Sequence, residues 1–274
     1  MSKSSNQPGI RVQKFLSQAG VCSRRQAERL MREGRVSING KPVTELGTRV
    51  LPGKDKVHVN GQTVEYTGDL IYVAVYKPRG VITSLSDPEG RPVITDLIPN
   101  NLPRLWPVGR LDWDSEGMVL MTNDGKLTHL VTHPSTYVEK SYEVKLRGLL
   151  DSKDPGLARM RKPMKLDDGF TTSGADVVVL NNTGLHTWLQ VIIHEGHNRQ
   201  IRRMAEGAGH TVLRLRRTAI GPLSLEGLVP GRWRNLTLDE VLSLYSLVES
   251  SPPPKPKKKP STSKAPRRKG RKRS

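Results

Sequence analysis

Apolar positions along the chain recur at two spacings. In RVQKFLSQAG, Val12, Phe15, Leu16 and Ala19 fall at helical intervals, and Gly20 supplies a terminator. Ser23 precedes RRQAERLMREG, with Gln26 three residues on as in a capping box. Ala27, Leu30 and Met31 give this second helix an apolar face before Gly34 stops it. RVSINGKPV and VHVNGQTVEY then read as two strand–turn–strand units about Asn39-Gly40 and Asn60-Gly61. Together these elements predict a compact helix–helix–strand module over residues 10–62, preceded by a disordered arm at 1–9.

Past a short polar link the period changes. LIYVAVYKP predicts a strand ending at Lys77-Pro78. Strand-like runs recur at 141–146, 175–180, 187–193 and 212–216, with helices predicted over 126–132 and 199–208. A short strand and a helix within 236–248 close a second domain spanning 70–249. Strands and helices without steady βα alternation point to an α+β fold.

Composition changes the picture mainly through charge. The 274 residues include 45 Lys and Arg against 26 Asp and Glu, a formal net charge of +19. Residues 252–274 contain 11 basic and no acidic residues, which leaves +8 for the rest. The tail, 250–274, lacks the apolar residues to build a core and is expected to be disordered. So basic a chain favours a phosphate-rich partner or an anionic membrane; the tail should add salt-sensitive nucleic-acid affinity, or else serve solubility alone. In the first module Arg11, Lys14, Arg24, Arg25, Arg29, Arg32 and Arg35 cluster around the two helices. They form either a nucleic-acid face or a merely solvated one. No run is long and apolar enough to span a membrane, and MSKSSNQPG lacks the apolar stretch of a secretory signal. One cysteine, Cys22, excludes an intramolecular disulfide framework and a cysteine-rich zinc module; a reducing cytoplasm is the simplest compartment.

Three stretches carry candidate chemistry. WPVGRLDWDSEGMVLMTNDG places Asp112, Asp114 and Glu116 on a loop leading into the apolar 118–121 run. A carboxylate on such a loop can be oriented for chemistry, although nearby acids serve equally as caps or turn formers. In IIHEGHNRQIRRMAEGAGH a helix starting near Asn198 puts Arg199, Arg202 and Arg203 on its first turns. His194 and His197 have a metal-like spacing, but no HExxH motif or second ligand cluster accompanies them. Local hydrogen bonding or RNA contact is the expected role, and no metal is expected. VEKSYEVKL carries Lys140 and Tyr142, the latter either a core aromatic or a base-stacking one.

The motifs GRLDWDSEGMVLMTNDG, EKSYEV, GHNRQIRRM and RLRRTAIGPLSLEGLVPGRWRNL resemble the bacterial ribosomal RNA pseudouridine synthases of the RsuA/RluB type. RVQKFLSQAGVCSRRQAERLMREGRVSING resembles the S4 RNA-binding module. The resemblance covers roughly residues 10–245. It implies an S4-type module followed by a mixed, mainly antiparallel-sheet synthase domain, a monomer that isomerises uridine in ribosomal RNA without a cofactor. By resemblance Asp112 is the essential catalytic residue, Tyr142 stacks on the flipped uracil, and Arg202 pairs with Asp112. Lys77, Arg79, Arg110, Lys140, Arg199 and Arg203 join the first module's cations as expected RNA contacts. Ser115 stands where the family commonly has threonine, and Met118 and Met121 enter a usually leucine-rich run. DPEGRP, at 87–92, and the basic tail favour the RluB side of the family, which works on large-subunit RNA. The same chemistry on small-subunit RNA and a non-catalytic RNA-binding assembly factor are the competing readings.

Overall fold

A computed structural model describes residues 9–66 and 68–249. Residues 1–8 of the expected arm and the whole expected tail, 250–274, lie outside the described residues. Gly9 itself is placed, its carbonyl accepting a hydrogen bond from Arg49.

The first module opens with β1 (Ile10–Arg11), α1 (Val12–Gln18) and α2 (Arg24–Arg32). Ser23 caps α2 by accepting from the Gln26 amide at 3.2 Å, half of the capping box the sequence offers. Short strands follow as β2 (Val36–Ile38), β3 (Lys41–Pro42), β4 (Arg49–Val50), β5 (Val57–Val59) and β6 (Gln62–Thr63). The order β3-β2-β5-β6 forms an antiparallel sheet, while β1 pairs with β4. Asn39 and Asn60 adopt positive φ ahead of Gly40 and Gly61, the backbone that a tight hairpin turn demands. Val12, Phe15, Leu16, Ala27, Met31, Val36, Val50 and Val57 are buried together in a core of their own.

The second domain is one large sheet. Its strands are β7 (Tyr72–Lys77), β8 (Trp106–Val108), β9 (Glu116–Thr122), β10 (Lys140–Arg147), β11 (Asp176–Thr183), β12 (His186–Ile193), β13 (Val212–Ile220), β14 (Leu223–Ser224) and β15 (Trp233–Asn235). The spatial order is β11-β12-β10-β13-β9-β7-β15, with β8 beside β9 and β14 beside β13. Every pairing is antiparallel except β13 with β9, which run parallel and match Arg216 to Glu116 and Arg217 to Gly117. Two antiparallel halves therefore meet along one short parallel seam.

Helices cover the two faces differently. Leu157 and Met160 of α4 (Pro155–Met160) and Ile201, Met204 and Ala205 of α5 (Gln200–Gly207) pack on the β10–β12 side, against Val144, Leu146, Leu189 and Val191. On the other face, α3 (Gly125–Thr132) and α6 (Leu238–Glu249) bury Leu127, Val131 and Leu244 against Met118, Leu120 and Ile220. Asp124 ties this layer together. It caps α3 through the Lys126 and Leu127 amides and accepts from the hydroxyls of Tyr72 and Tyr245. Asp124 thus has a structural task. No helix among the described residues is long and apolar enough to cross a membrane.

Candidate active site

The seam brings the three candidate stretches into one place. Gly117, at the start of β9, has φ +116°, and a Cβ there would lie 2.2 Å from the Arg217 carbonyl oxygen. Glycine lets β9 and β13 approach closely enough to pair. The turn just before it carries Asp112, and the strand beside β13 carries Tyr142. Tyr142 stands opposite Arg217 in the β10–β13 register, so both point to the same face.

The loop bearing Asp112 is pinned through its backbone. Buried Thr83 donates from Oγ1 to the Leu111 carbonyl at 2.7 Å and accepts from the Leu111 amide at 3.2 Å. The Ser115 amide donates to the Asp112 carbonyl at 3.1 Å, and the Gly80 amide donates to the Trp113 carbonyl at 2.9 Å. The side chains of this turn are consequently presented with little backbone freedom.

The acids of the motif divide sharply in their partners. Glu116 is buried and paired with Arg214. Asp114 receives Arg199 through two contacts of 3.2 Å and Arg202 at 3.3 Å. Burial works to raise the Asp114 carboxyl, but the hydrogen bond from Arg199 and the charges of Arg202 and Arg199 outweigh it, holding the group below the usual carboxylate range. Among the described residues Asp112 makes a single ion pair, with Arg199 at 3.6 Å, and its side chain is 33% exposed. Among these acids, Asp112 is the accessible carboxylate least engaged by partners.

The basic side comes from the start of α5. Arg199 takes the left-handed conformation, φ 49°, as the residue before the helix. Buried Gln200 braces the preceding loop, accepting from the His197 amide at 3.0 Å and donating to Glu195 at 2.6 Å. Arg202 is largely buried. It donates to the Asp114 carbonyl at 3.0 Å and to Ser115 Oγ at 3.3 Å. The expected Arg202–Asp112 pair is therefore replaced by Arg199–Asp112 and Arg202–Asp114. One helical turn separates the two arginines, and the backbone of the 112–115 turn sets Asp114 toward the inner one. Asp114→Ala leaves Arg202 its bonds to the residue-114 carbonyl and Ser115 but removes the carboxylate that balances its charge. It should cost about 1–3 kcal/mol in a denaturation midpoint and should lower turnover.

A cleft of about 340 Å³ lies over the seam, a size suited to a small ligand. Asp112, Lys140, Tyr142, Ile193, Arg199 and Arg217 are among its walls. Tyr142 is only 7% exposed and belongs to the core as well as to the cleft. Lys140 donates to the Val138 carbonyl at 3.0 Å; burial, with the nearby charge of Arg217, brings its amine down to about 8.

Two expected RNA contacts are placed otherwise. Lys77 is fully buried, its ammonium donating to the Ser115 and Pro78 carbonyls at 2.8 and 2.9 Å. Strand alternation turns it inward beneath the Asp112 turn. Burial lowers its amine to about 8 against the raising effect of Asp112, Asp114 and Glu116. Lys77 is thus a strut for the turn and offers nothing to a phosphate. Arg203 is engaged by Asp167 and Asp168, with little of its side chain exposed. Arg110 is exposed in the wall of the cleft. Arg79 is exposed, and on the first module so are Arg11, Lys14, Arg24, Arg25 and Arg29. His194 contacts the Tyr137 carbonyl, and His197 contacts Asp168 while stacking on Phe170 at 4.1 Å. No group of three or more metal-ligating side chains occurs among the described residues. Thr83, Gly117 and Arg217 were not singled out from the sequence. Thr83 stands 28 residues from the loop it holds.

A basic two-module chain with an accessible carboxylate in a cleft at a sheet seam has the form of a nucleic-acid-modifying enzyme. A family profile for RNA pseudouridylate synthase matches residues 71–207, and an S4 domain profile matches residues 10–55. The ribosomal large subunit pseudouridine synthase B of Bacillus subtilis (strain 168) is 42% identical over 240 residues, covering 87% of this chain and 97% of that protein. The dual-specificity RNA pseudouridine synthase RluF of Escherichia coli O157:H7 is 37% identical over 266 residues, covering 92% and 85%. A crystal structure of a pseudouridylate synthase superposes with a TM-score of 0.62 at 28% identity, covering 86% of this chain and 99% of that one. The chain belongs to the RNA pseudouridylate synthase family, with an S4 domain ahead of the synthase domain.

Proposed function

We propose that this synthase isomerises one uridine of the 23S large-subunit ribosomal RNA, with Asp112 as its essential catalytic residue. The observation that carries the reading is the accessible Asp112 carboxylate, fixed by its backbone across the same cleft as Tyr142. The uridine leaves its stack and enters the cleft. Its C1′–N1 bond breaks, the uracil turns, C5 bonds to C1′, the C5 proton departs to solvent or a base, and N1 takes up a proton, so the product is an isomer. Asp112 drives the cleavage, by attack at the ribose or by acting on the base. Tyr142 stacks on the uracil and assists proton removal at C5. Arg202 keeps the 112–115 turn in place through Asp114 and Ser115, while Arg199 supplies the charge nearest Asp112.

The S4 domain, the exposed cations of its helices and the basic tail hold the RNA by its phosphates. The protein acts as a cytoplasmic monomer, on naked RNA or on an assembling particle. The name of the Bacillus relative and the DPEGRP turn, closed by the Asp87–Arg91 pair at 2.8 Å, support the large-subunit target. Purified 23S and 16S RNA carrying tritium at uridine C5 test the choice. Release of about one tritium per 23S molecule, with none from 16S, is expected. The reverse pattern would move the substrate to the 16S RNA.

A further inference from the structure

The cleft accounts for one flipped nucleotide, but flipping also uncovers the bases on either side of it. Each loses a stacking partner, and that cost has to be offset somewhere on the protein. Trp113 sits where that could happen. It follows Asp112 directly and is 47% exposed, whereas Trp106, Trp188 and Trp233 are all partly covered. An indole left in water at the surface forgoes a large burial gain in a chain with few aromatics to spend.

The residue is also held still. Its carbonyl is fixed by the Gly80 amide at 2.9 Å, and its Cζ2 lies 3.8 Å from where a Gly80 Cβ would stand, so the indole rests beside the 78–80 turn. Exposed Arg79 belongs to that 78–80 turn, near enough for its charge to act on Arg202, and exposed Arg110 precedes Asp112 in the chain and lines the cleft. The ring is not among the walls of the cleft that receives the uracil. An exposed aromatic ring on a fixed backbone thus follows directly on Asp112, with two exposed arginines on the turns next to it in sequence or space.

We infer that Trp113 is a substrate-binding residue that stacks on a base adjoining the flipped uridine, the rim counterpart of the cleft. The inference rests on the proposed RNA isomerisation. An aromatic stacked on an unpaired base contributes enough that its loss weakens binding about 10- to 100-fold.

The test uses the full chain and a 23S fragment containing the modified uridine. Affinity is measured by fluorescence anisotropy in an Asp112→Asn background, so that turnover does not enter, and kcat/KM is measured with Asp112 intact. Trp113→Ala should weaken affinity and lower kcat/KM by about 10- to 100-fold, chiefly through KM. Trp113→Phe should stay within about threefold of wild type, and Trp113→Leu should behave like Ala. Thermal unfolding of all three should match wild type because the side chain is exposed. Equal behaviour of Leu and Phe, or no loss on Trp113→Ala, would overturn the inference while leaving the isomerisation standing. Failure of the wild-type chain to isomerise the fragment would instead strike the underlying reading, and the anisotropy series would still decide whether Trp113 stacks on RNA.

Discussion

Replacing Asp112 by Asn should abolish pseudouridine formation while leaving the protein folded and able to bind RNA. The side chain keeps its shape and loses only its charge. The turn that carries it is held by backbone hydrogen bonds to Thr83 and Gly80, none of which involves the carboxylate. Its ion pair to Arg199 at 3.6 Å joins two partly exposed groups, and such pairs contribute about 0–1 kcal/mol. Stability and RNA affinity should therefore stay near wild type. The rate should fall by about 10³-fold or more, the scale expected when a group acting directly on the reacting bond is removed. Turnover within about tenfold of wild type would remove Asp112 from the chemistry. Asp114 would not become the natural replacement, since both of its oxygens are occupied by arginines.

Gly117→Ala should do the opposite, damaging the fold first and activity as a consequence. The added methyl would collide with the Arg217 backbone, 2.2 Å from its carbonyl oxygen and 2.6 Å from its nitrogen, at a φ of +116°. Neither partner is a side chain that can swing away. The backbone strain and the overpacking together should cost about 3–5 kcal/mol, read as a shift in the urea midpoint at unchanged slope. Among the described residues this short parallel pairing is the strand pairing that joins the two sheet halves. A folded remnant should have Arg217 and the Asp112 turn displaced and should be inactive. A loss below about 1 kcal/mol would mean that the seam separates easily and does not set the site.

The sequence made different parts of this molecule legible for different reasons. Amphipathic α1 and α2, the Asn-Gly hairpins and the long strands of the second domain all express local rules. Capping, turn chemistry and alternation act within a few residues, and the structure places those elements close to expectation. Strand β9 was harder. Its seven residues are all buried, so no polar alternation marks them, and a buried strand then reads only as an apolar run. The short helix α4 carries too few turns for a period to emerge.

The site divides along the same line. Asp112, Tyr142 and Arg202 stand in recognisable motifs, so their presence was legible. Their partners were not, because contacts across the seam join residues 87 and 88 positions apart. From spacing alone, Arg199 and Arg202 are interchangeable bases one turn apart; only the backbone of the 112–115 turn decides which carboxylate each meets. Lys77 shows the same limit. A lysine at a strand end suggests a surface cation, yet the Asp112 turn closes over it and converts it into an internal support.

The central claim is that this chain makes pseudouridine at one site in 23S RNA, through Asp112. Nucleotide-resolution pseudouridine mapping tests it most directly, on ribosomal RNA from cells that lack the protein, carry it, or carry it as Asp112→Asn. One 23S position should be modified with the wild-type chain, and unmodified both without the protein and with the Asn variant. An unchanged map across all three strains, or modification that survives in the Asn strain, would contradict it.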